Sequence, residues 1–144
     1  MNNKKFLALI LVFIFLFGCQ SDINTIKIIP DGDIIFSVYG IDGEVIIDSV
    51  GVKYKNNLSV ADLSKAVCRE LKIPIVFSGA GEMTYLKGIN NLFERDHGPL
   101  SGWIYFVNGE PRGVSSRSYI LENGDNVEWR YTLDLGKDIG ADFE

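Results

Sequence analysis

Short runs of alternating or continuous apolar residues dominate the chain from residue 33 onward, and they indicate β-strands. Residues 33–41 and 45–54 are rich in Ile, Val and Tyr and flank Asp42-Gly43, a dipeptide typical of two-residue hairpin turns. The pattern therefore predicts an antiparallel pair of strands joined at this turn.

One segment has helical periodicity. Ser59 is a residue type favoured as an N-cap, and Asp62 follows three positions later, in the first turn. Four apolar residues then recur at three- and four-residue spacing: Val60, Leu63, Val67 and Leu71. This stripe predicts one long helix from about residue 60 to 72, ended by Pro74 and packed by one face on a sheet.

Further strands are expected at residues 73–77, 83–87, 102–107 and 126–133, with turns at Asn108-Gly109 and at residues 123–125. Residues 88–101 have no clear periodicity and are expected to form a long surface loop. The acidic tail, residues 134–144, is expected to dock loosely or fray. The order hairpin, helix, further strands is typical of an α+β, β-grasp-like domain, a mixed sheet with one main helix on one face.

Aromatic residues occupy alternate positions of two of these strands. Trp103 and Tyr105 share one face of the first, and Trp129 and Tyr131 share one face of the second. The four rings would form an exposed platform for a flat, apolar ligand, with Asn108 donating hydrogen bonds at its edge. The alternative is that the rings form core beneath the helix and that Asn108 serves only its turn.

The first 19 residues resemble a bacterial lipoprotein signal. Lys4 and Lys5 precede an apolar run at residues 6–17, which at roughly 18 Å is too short for a hydrocarbon core of about 30 Å. The sequence Leu16-Phe17-Gly18-Cys19 resembles the lipobox, which implies cleavage after residue 18 and acylation of Cys19. We expect a signal peptide at 1–18, a lipid-anchored tether at 19–32 and a domain at 33–144, held on a membrane outside the cytoplasm. A secretory signal with an unrelated cysteine is the alternative.

Charge and chemistry-bearing residues exclude several functions. The mature chain has 12 basic and 19 acidic residues, a formal net charge of −7, which disfavours nucleic-acid binding. If Cys19 carries lipid, Cys68 is the remaining thiol, and its helical setting indicates a buried structural role. His97 is the single histidine and has no companion ligands for a transition metal. We therefore expect that the protein is not an enzyme and that it has no catalytic cofactor and no metal site.

Two motifs carry a resemblance to a known family: residues 101–110, SGWIYFVNGE, and residues 123–131, NGDNVEWRY. They resemble bacterial lipoprotein domains of unknown function that are similar to the C-terminal domain of transcobalamin. In that family a cysteine pair often falls where this chain has His97 and Leu133, so the resemblance implies no disulfide here. It implies a β-grasp-like module that contributes to corrinoid binding.

Two functions stay open at this point. The first is a lipid-anchored extracellular module that captures a small ligand, with a cobalamin-like corrinoid as candidate. The second is a surface protein-interaction or adhesion module without a small-molecule ligand.

Overall fold

The larger of two sheets is mixed and contains the hairpin and both aromatic strands. In the computed structural model, which describes residues 26–141 and 143, its strands are β1 (Ile34–Tyr39), β2 (Val45–Val52), β6 (Gly102–Val107), β7 (Glu110–Pro111) and β8 (Asn126–Thr132). Their order across the sheet is β2-β1-β8-β6-β7. β1 and β8 are parallel, and the other neighbours are antiparallel. This arrangement and its covering helix confirm the α+β expectation.

The hairpin of β1 and β2 is confirmed, but its turn is longer than two residues. Tyr39 pairs with Val45, and a short 3-10 turn, Ile41–Gly43, lies between them. Asp42 adopts φ 53° there, a conformation that Asp tolerates better than most residues. The Asp-Gly pair therefore predicted the position of the turn correctly, but the predicted length of two residues was wrong.

Helix α1 (Val60–Glu70) begins and packs as its sequence predicts. The Ser59 hydroxyl oxygen accepts a hydrogen bond from the backbone N–H of Asp62 at 3.1 Å, which satisfies one donor of the first turn. Val60, Leu63 and Val67 are fully buried. Leu71, the predicted last member of the stripe, lies beyond the helix and is 39% exposed.

A smaller, three-stranded sheet follows the helix. It consists of β3 (Ile75–Ser78), β4 (Tyr85–Ile89) and β5 (Leu92–Phe93), in that order and antiparallel. β4 and β5 are joined by Asn90 and Asn91, whose positive φ values of 51° and 62° suit a tight hairpin. The long loop expected at residues 88–101 is therefore partly a hairpin.

Both ends of the described domain are more firmly held than the sequence indicated. Ile26 is buried, and Ile29 donates a backbone hydrogen bond to Gly51 at 2.9 Å, so residues 26–32 pack on β2 rather than forming a tether. At the other end, Ala141 is buried and donates to Gly136 at 2.8 Å. Of the two outcomes expected for the tail, residues 134–141 therefore dock on the domain and do not fray. Among the described residues, no helix is long and apolar enough to cross a membrane.

Candidate functional site

The four aromatic candidates lie on one sheet face, as predicted, but they do not form an exposed platform. Trp103 pairs with Tyr131 and Tyr105 with Trp129 across β6 and β8. Trp129 and Tyr131 are each 2% exposed, Tyr105 is 4% exposed and Trp103 is half-buried. The platform prediction is wrong because α1 and the smaller sheet cover this face.

The rings also meet at angles that exclude a flat surface. The centroids of Trp103 and Tyr131 are 5.1 Å apart with the ring planes at 75°, and those of Tyr105 and Trp129 are 5.3 Å apart at 52°. Edge-on and tilted contacts of this kind are the favoured packing of aromatic rings in a core. The rings therefore stabilise one another.

The polar atoms of these rings have partners within the protein. The Trp129 indole N–H donates to the hydroxyl of Ser64 at 2.8 Å, and the Trp103 indole N–H donates to the carbonyl of Leu92 at 3.0 Å. The hydroxyls of the two tyrosines likewise donate to backbone carbonyls, at 2.7–2.8 Å. Burial raises the pKa of Tyr105 to about 12; the neighbouring Tyr119 adds to this rise, and Arg112 opposes it.

A groove of about 560 Å³ nevertheless opens beside three of these rings, Trp103, Tyr105 and Trp129. Its walls are residues 82–86, which lead into β4, and residues 112–116, which follow β7. We call this cavity the aromatic groove. Its volume lies within the range usual for small-molecule sites. The alternating pattern thus identified three residues that line a cavity. They form part of its wall, whereas the sequence predicted an exposed platform.

A second cavity of about 460 Å³ continues the aromatic groove toward residues 94–102. The two share Tyr85, Leu86, Trp103, Ile104 and Phe143. Of the eleven large apolar residues exposed in the described part of the chain, six line one or both cavities: Met83, Tyr85, Leu100, Val114, Leu135 and Phe143. This concentration of exposed apolar side chains is the kind that marks a binding surface.

The polar groups of the aromatic groove are few. The Ser115 hydroxyl donates to the carbonyl of Thr84 at 2.8 Å and so ties the two walls together. Arg112 donates from Nη2 to the carbonyl of Val107 at 3.0 Å, and its guanidinium lies 5.4 Å from the centre of the Tyr119 ring. Arg112 Nε and the Ser116 hydroxyl are buried without a hydrogen-bond partner.

Asn108, expected at the ligand edge, joins two turns instead. Its side-chain amide donates to Asp125 Oδ1 at 2.8 Å, and its Oδ1 accepts from the backbone N–H of Asn126 at 2.8 Å. Each end of the side chain thus holds a turn, and Asn108 lines neither cavity, so its role as a ligand-binding residue stays a prediction. The geometry supports the alternative interpretation, in which Asn108 stabilises its turn.

Two other chemistry-bearing residues, Cys68 and His97, lie within the described part of the chain. Cys68 is fully buried, and burial raises the pKa of its thiol to about 12. The exposed His97 ring lies edge-on to Tyr131, with centroids 6.1 Å apart. Within residues 26–141 and 143, no three His, Cys, Asp or Glu side chains are grouped so as to hold a metal ion. Cys19, the expected site of acylation, lies outside the described residues.

Comparison with known proteins supports the fold and leaves the ligand open. A family model described as a domain of unknown function (DUF4430) matches residues 70–133. No curated protein matches the sequence.

Solved structures provide more extensive matches. The chain is similar to haptocorrin, solved in complex with Cbi, with 18% identity and a TM-score of 0.56. That match covers 79% of this chain and 27% of haptocorrin, so the chain spans about a quarter of that protein. A metal binding protein, provisionally so named, from Ruminococcus gnavus ATCC 29149 has 13% identity and a TM-score of 0.52, over 71% of this chain and 97% of its own. At these identities the likeness establishes a shared fold, which agrees with the transcobalamin-like fold expected from the two motifs.

No sequence pattern indicated the outer wall of the aromatic groove. Met83 and Val114 are isolated apolar residues in polar, glycine-containing segments, and nothing local links residues 82–86 to residues 112–116. The only local signal is an apolar residue within a polar segment, and this signal is weak because single apolar residues are common on protein surfaces.

Proposed function

We propose that this protein is a binding module that captures a small-molecule ligand in the aromatic groove. The observation that carries the proposal is the joining of two features: a cavity lined by Trp103, Tyr105 and Trp129, and a rim of exposed apolar side chains. Apolar lining with a few fixed polar groups is the usual composition of a small-molecule site.

The candidate ligand is a corrinoid of the cobalamin type. The likeness to haptocorrin and the two aromatic motifs support this choice. The groove is open and, at about 560 Å³, would hold one side of so large a ligand. A partner, or a second domain, would then cover the remainder.

The module is proposed to act outside the cytoplasm, attached to a membrane through acylated Cys19. Lys4, Lys5, the apolar run and the lipobox-like residues 16–19 support this location. Acyl chains at roughly 0.8 kcal/mol per buried methylene would hold the protein on the bilayer.

The proposal is tested by calorimetric titration of the detergent-solubilised full chain with cobinamide and cobalamin. A Kd below about 10 μM, roughly −7 kcal/mol, is expected for at least one of them. Val114→Asp places a charge on the rim of the groove and should weaken binding at least tenfold.

Val45→Asp is the matched control. Val45 is 56% exposed and Val114 55%, but Val45 lies on β2, away from the groove. Its substitution should leave Kd unchanged. An equal loss of affinity in both variants would contradict corrinoid binding in the aromatic groove. So would the absence of any heat of binding with either corrinoid.

A protein-interaction function is the second candidate, and the position of β7 favours it. This two-residue strand is at the edge of the larger sheet, and the chain continues from it directly into the groove wall at residues 112–116. An extended segment of a partner would pair with such an edge and place apolar side chains in the groove. If this is the function, the protein should bind no corrinoid. Val114→Asp should instead weaken binding of the protein partner at least tenfold.

A further inference from the structure

We propose that the ligand of the aromatic groove carries an anionic group, and that its carboxylate or phosphate oxygens bind Arg112, assisted by the hydroxyl of Ser116. Both residues belong to the wall of the groove that residues 112–116 form. The inference rests on the proposed capture of a small molecule in this groove, and it adds the chemistry of that molecule's polar end. It does not depend on whether the ligand is a corrinoid.

Each of these two residues has a buried polar atom without a hydrogen-bond partner, namely Arg112 Nε and the Ser116 hydroxyl. Ser116 is 3% exposed, so its hydroxyl is shielded from bulk solvent. A buried donor without an acceptor costs free energy, and native proteins therefore contain few of them. Because both residues line the aromatic groove, an oxygen atom of a ligand held there would supply the acceptor.

Arg112 also carries a positive charge that no carboxylate of the described chain pairs with. Within residues 26–141 and 143, its guanidinium forms no ion pair, and the carbonyl of Val107 is its one hydrogen-bond partner. Glu82 lines the other wall of the groove and does not pair with it. The guanidinium therefore retains unused donors in a planar fork, a geometry that matches the oxygens of a carboxylate or a phosphate.

The guanidinium is held in place before any ligand binds. Its Nη2 donates to the Val107 carbonyl at 3.0 Å, and the group lies 5.4 Å from the centre of the Tyr119 ring, a cation–π distance. Its charge also reaches the groove: burial and Tyr119 raise the pKa of Tyr105, whose ring lines the groove, and Arg112 opposes this rise. A donor that is already fixed loses less conformational freedom on binding, which favours affinity.

The remaining lining indicates what the anionic group is attached to. Trp103, Tyr105 and Trp129 line the same groove and provide apolar ring surface. A ligand that uses both features has an apolar body and an anionic group. Its chemical class is therefore an organic carboxylate or phosphate, as distinct from a free inorganic anion.

The experiment titrates the detergent-solubilised, ¹⁵N-labelled full chain with three probes that share one flat ring system. These are 2-naphthoate, its neutral amide 2-naphthamide, and 2-naphthyl phosphate, with free concentrations measured by dialysis against the same detergent. The signals followed are the two tryptophan indole N–H resonances and the Nε–H resonance of Arg112, which is identified by its loss in Arg112→Gln.

We expect at least one of the two anions to shift the Arg112 resonance and to bind about fivefold or more tightly than 2-naphthamide, because a charge-assisted hydrogen bond is stronger than a neutral one. The anion that binds more tightly identifies the group as a carboxylate or a phosphate. Arg112→Gln should remove the preference for the anion. Arg117→Gln, the same change at an exposed arginine that lines neither cavity, should retain it.

Ser116→Ala is a second variant that keeps the test decisive if Arg112→Gln disturbs the fold. It should weaken binding of the preferred anion without lowering the melting temperature, because the Ser116 hydroxyl has no hydrogen bond to lose. Ser118→Ala, at an exposed serine, should leave both the affinity and the melting temperature unchanged.

Three results would overturn the inference. The anions and the amide could bind with equal affinity, or the Arg112 resonance could stay unmoved at saturation, so that Arg112 would serve the fold alone. Alternatively, inorganic phosphate could bind as tightly as 2-naphthyl phosphate, which would identify a small-anion site that does not use the aromatic rings.

These failures are distinguishable from failure of the proposed corrinoid ligand. Corrinoid binding that neither Arg112→Gln nor Ser116→Ala weakens would reject this inference and leave capture in the groove intact. Binding of the naphthyl anions at Arg112, with no heat from either corrinoid, would support the inference and reject the corrinoid.

Discussion

The indole N–H of Trp129 donates a hydrogen bond of 2.8 Å to the hydroxyl of Ser64. Both residues are buried, one on β8 and the other on α1, and Ser64 in turn donates to the carbonyl of Val60 at 2.6 Å. This polar link fixes the helix over the sheet. It also holds Trp129, a wall residue of the aromatic groove, in one orientation.

Removal of this link should destabilise the fold. Ser64→Ala leaves the Trp129 indole N–H buried without an acceptor, and we expect the free energy of unfolding to fall by about 1–3 kcal/mol. Urea unfolding monitored by circular dichroism measures the change. Ser118→Ala, an exposed serine, should stay within about 0.5 kcal/mol of the wild type. Equal stabilities of the two variants would show that the link contributes nothing.

Close packing of backbones at Gly51 should make that position intolerant of a side chain. A Cβ at Gly51 would overlap the carbonyl oxygen of Ile29 and the backbone N of Gly32. Gly51→Ala should therefore detach residues 26–32 from β2 and lower the melting temperature by several degrees.

Gly113→Ala is the control, because its nearest neighbour is Phe143 Cδ1 at 3.7 Å, an ordinary contact distance. It should melt within about a degree of the wild type. A wild-type melting temperature for Gly51→Ala would mean that residues 26–32 are not packed on β2 as described.

Asp138 should stabilise the C-terminal turn in a pH-dependent way. Burial opposes ionisation of its carboxylate, but hydrogen bonds from Thr132, Leu133 and Asp134 outweigh this and lower the pKa below its usual value of 3.8. A lowered pKa contributes stability that is present above about pH 4 and lost as the pH falls through the folded-state value.

Asp138→Asn should therefore be less stable than the wild type at pH 7, and the difference should shrink when both melting temperatures are measured near pH 2–3. Asp42→Asn, an exposed acid in the β1–β2 turn, is the matched control and should show little difference at either pH. A difference for Asp138→Asn that persists at low pH would contradict the charge-based account.

Thiol titration tests both the buried state of Cys68 and the acylation of Cys19. Because the pKa of the Cys68 thiol is raised to about 12, it stays protonated and protected at pH 8. The protein purified from membranes should show no reactive thiol when native and one after denaturation in guanidinium. One reactive thiol in the native protein would indicate a free Cys19 or an accessible Cys68, and Cys68→Ala distinguishes these cases.

The sequence predicts α1 well because its signals are local. A capping serine and an apolar stripe determine where this helix begins and which side it buries, whatever else surrounds it. The hairpin turn at Asn90-Asn91 was missed, because strands as short as β5 leave too few residues for an alternating pattern.

The candidate site was harder to predict because it depends on contacts between distant segments. Alternation correctly placed Trp103, Tyr105, Trp129 and Tyr131 on one face, but alternation cannot say whether a helix or a second sheet covers that face. The walls of the aromatic groove, residues 82–86 and 112–116, are brought together by the packing of the smaller sheet and by the bond from Ser115 to Thr84. Neither is encoded in a local pattern.

Ligand capture in the aromatic groove is tested most directly by the two indole N–H resonances of the ¹⁵N-labelled full chain. The chain contains two tryptophans, and both line the groove, so each resonance reports on it. Titration with cobinamide should shift both indole signals with one saturation curve, and Val114→Asp should move that curve to at least tenfold higher concentration. Unchanged indole signals at saturating cobinamide would contradict the account, even if calorimetry detected binding elsewhere on the protein.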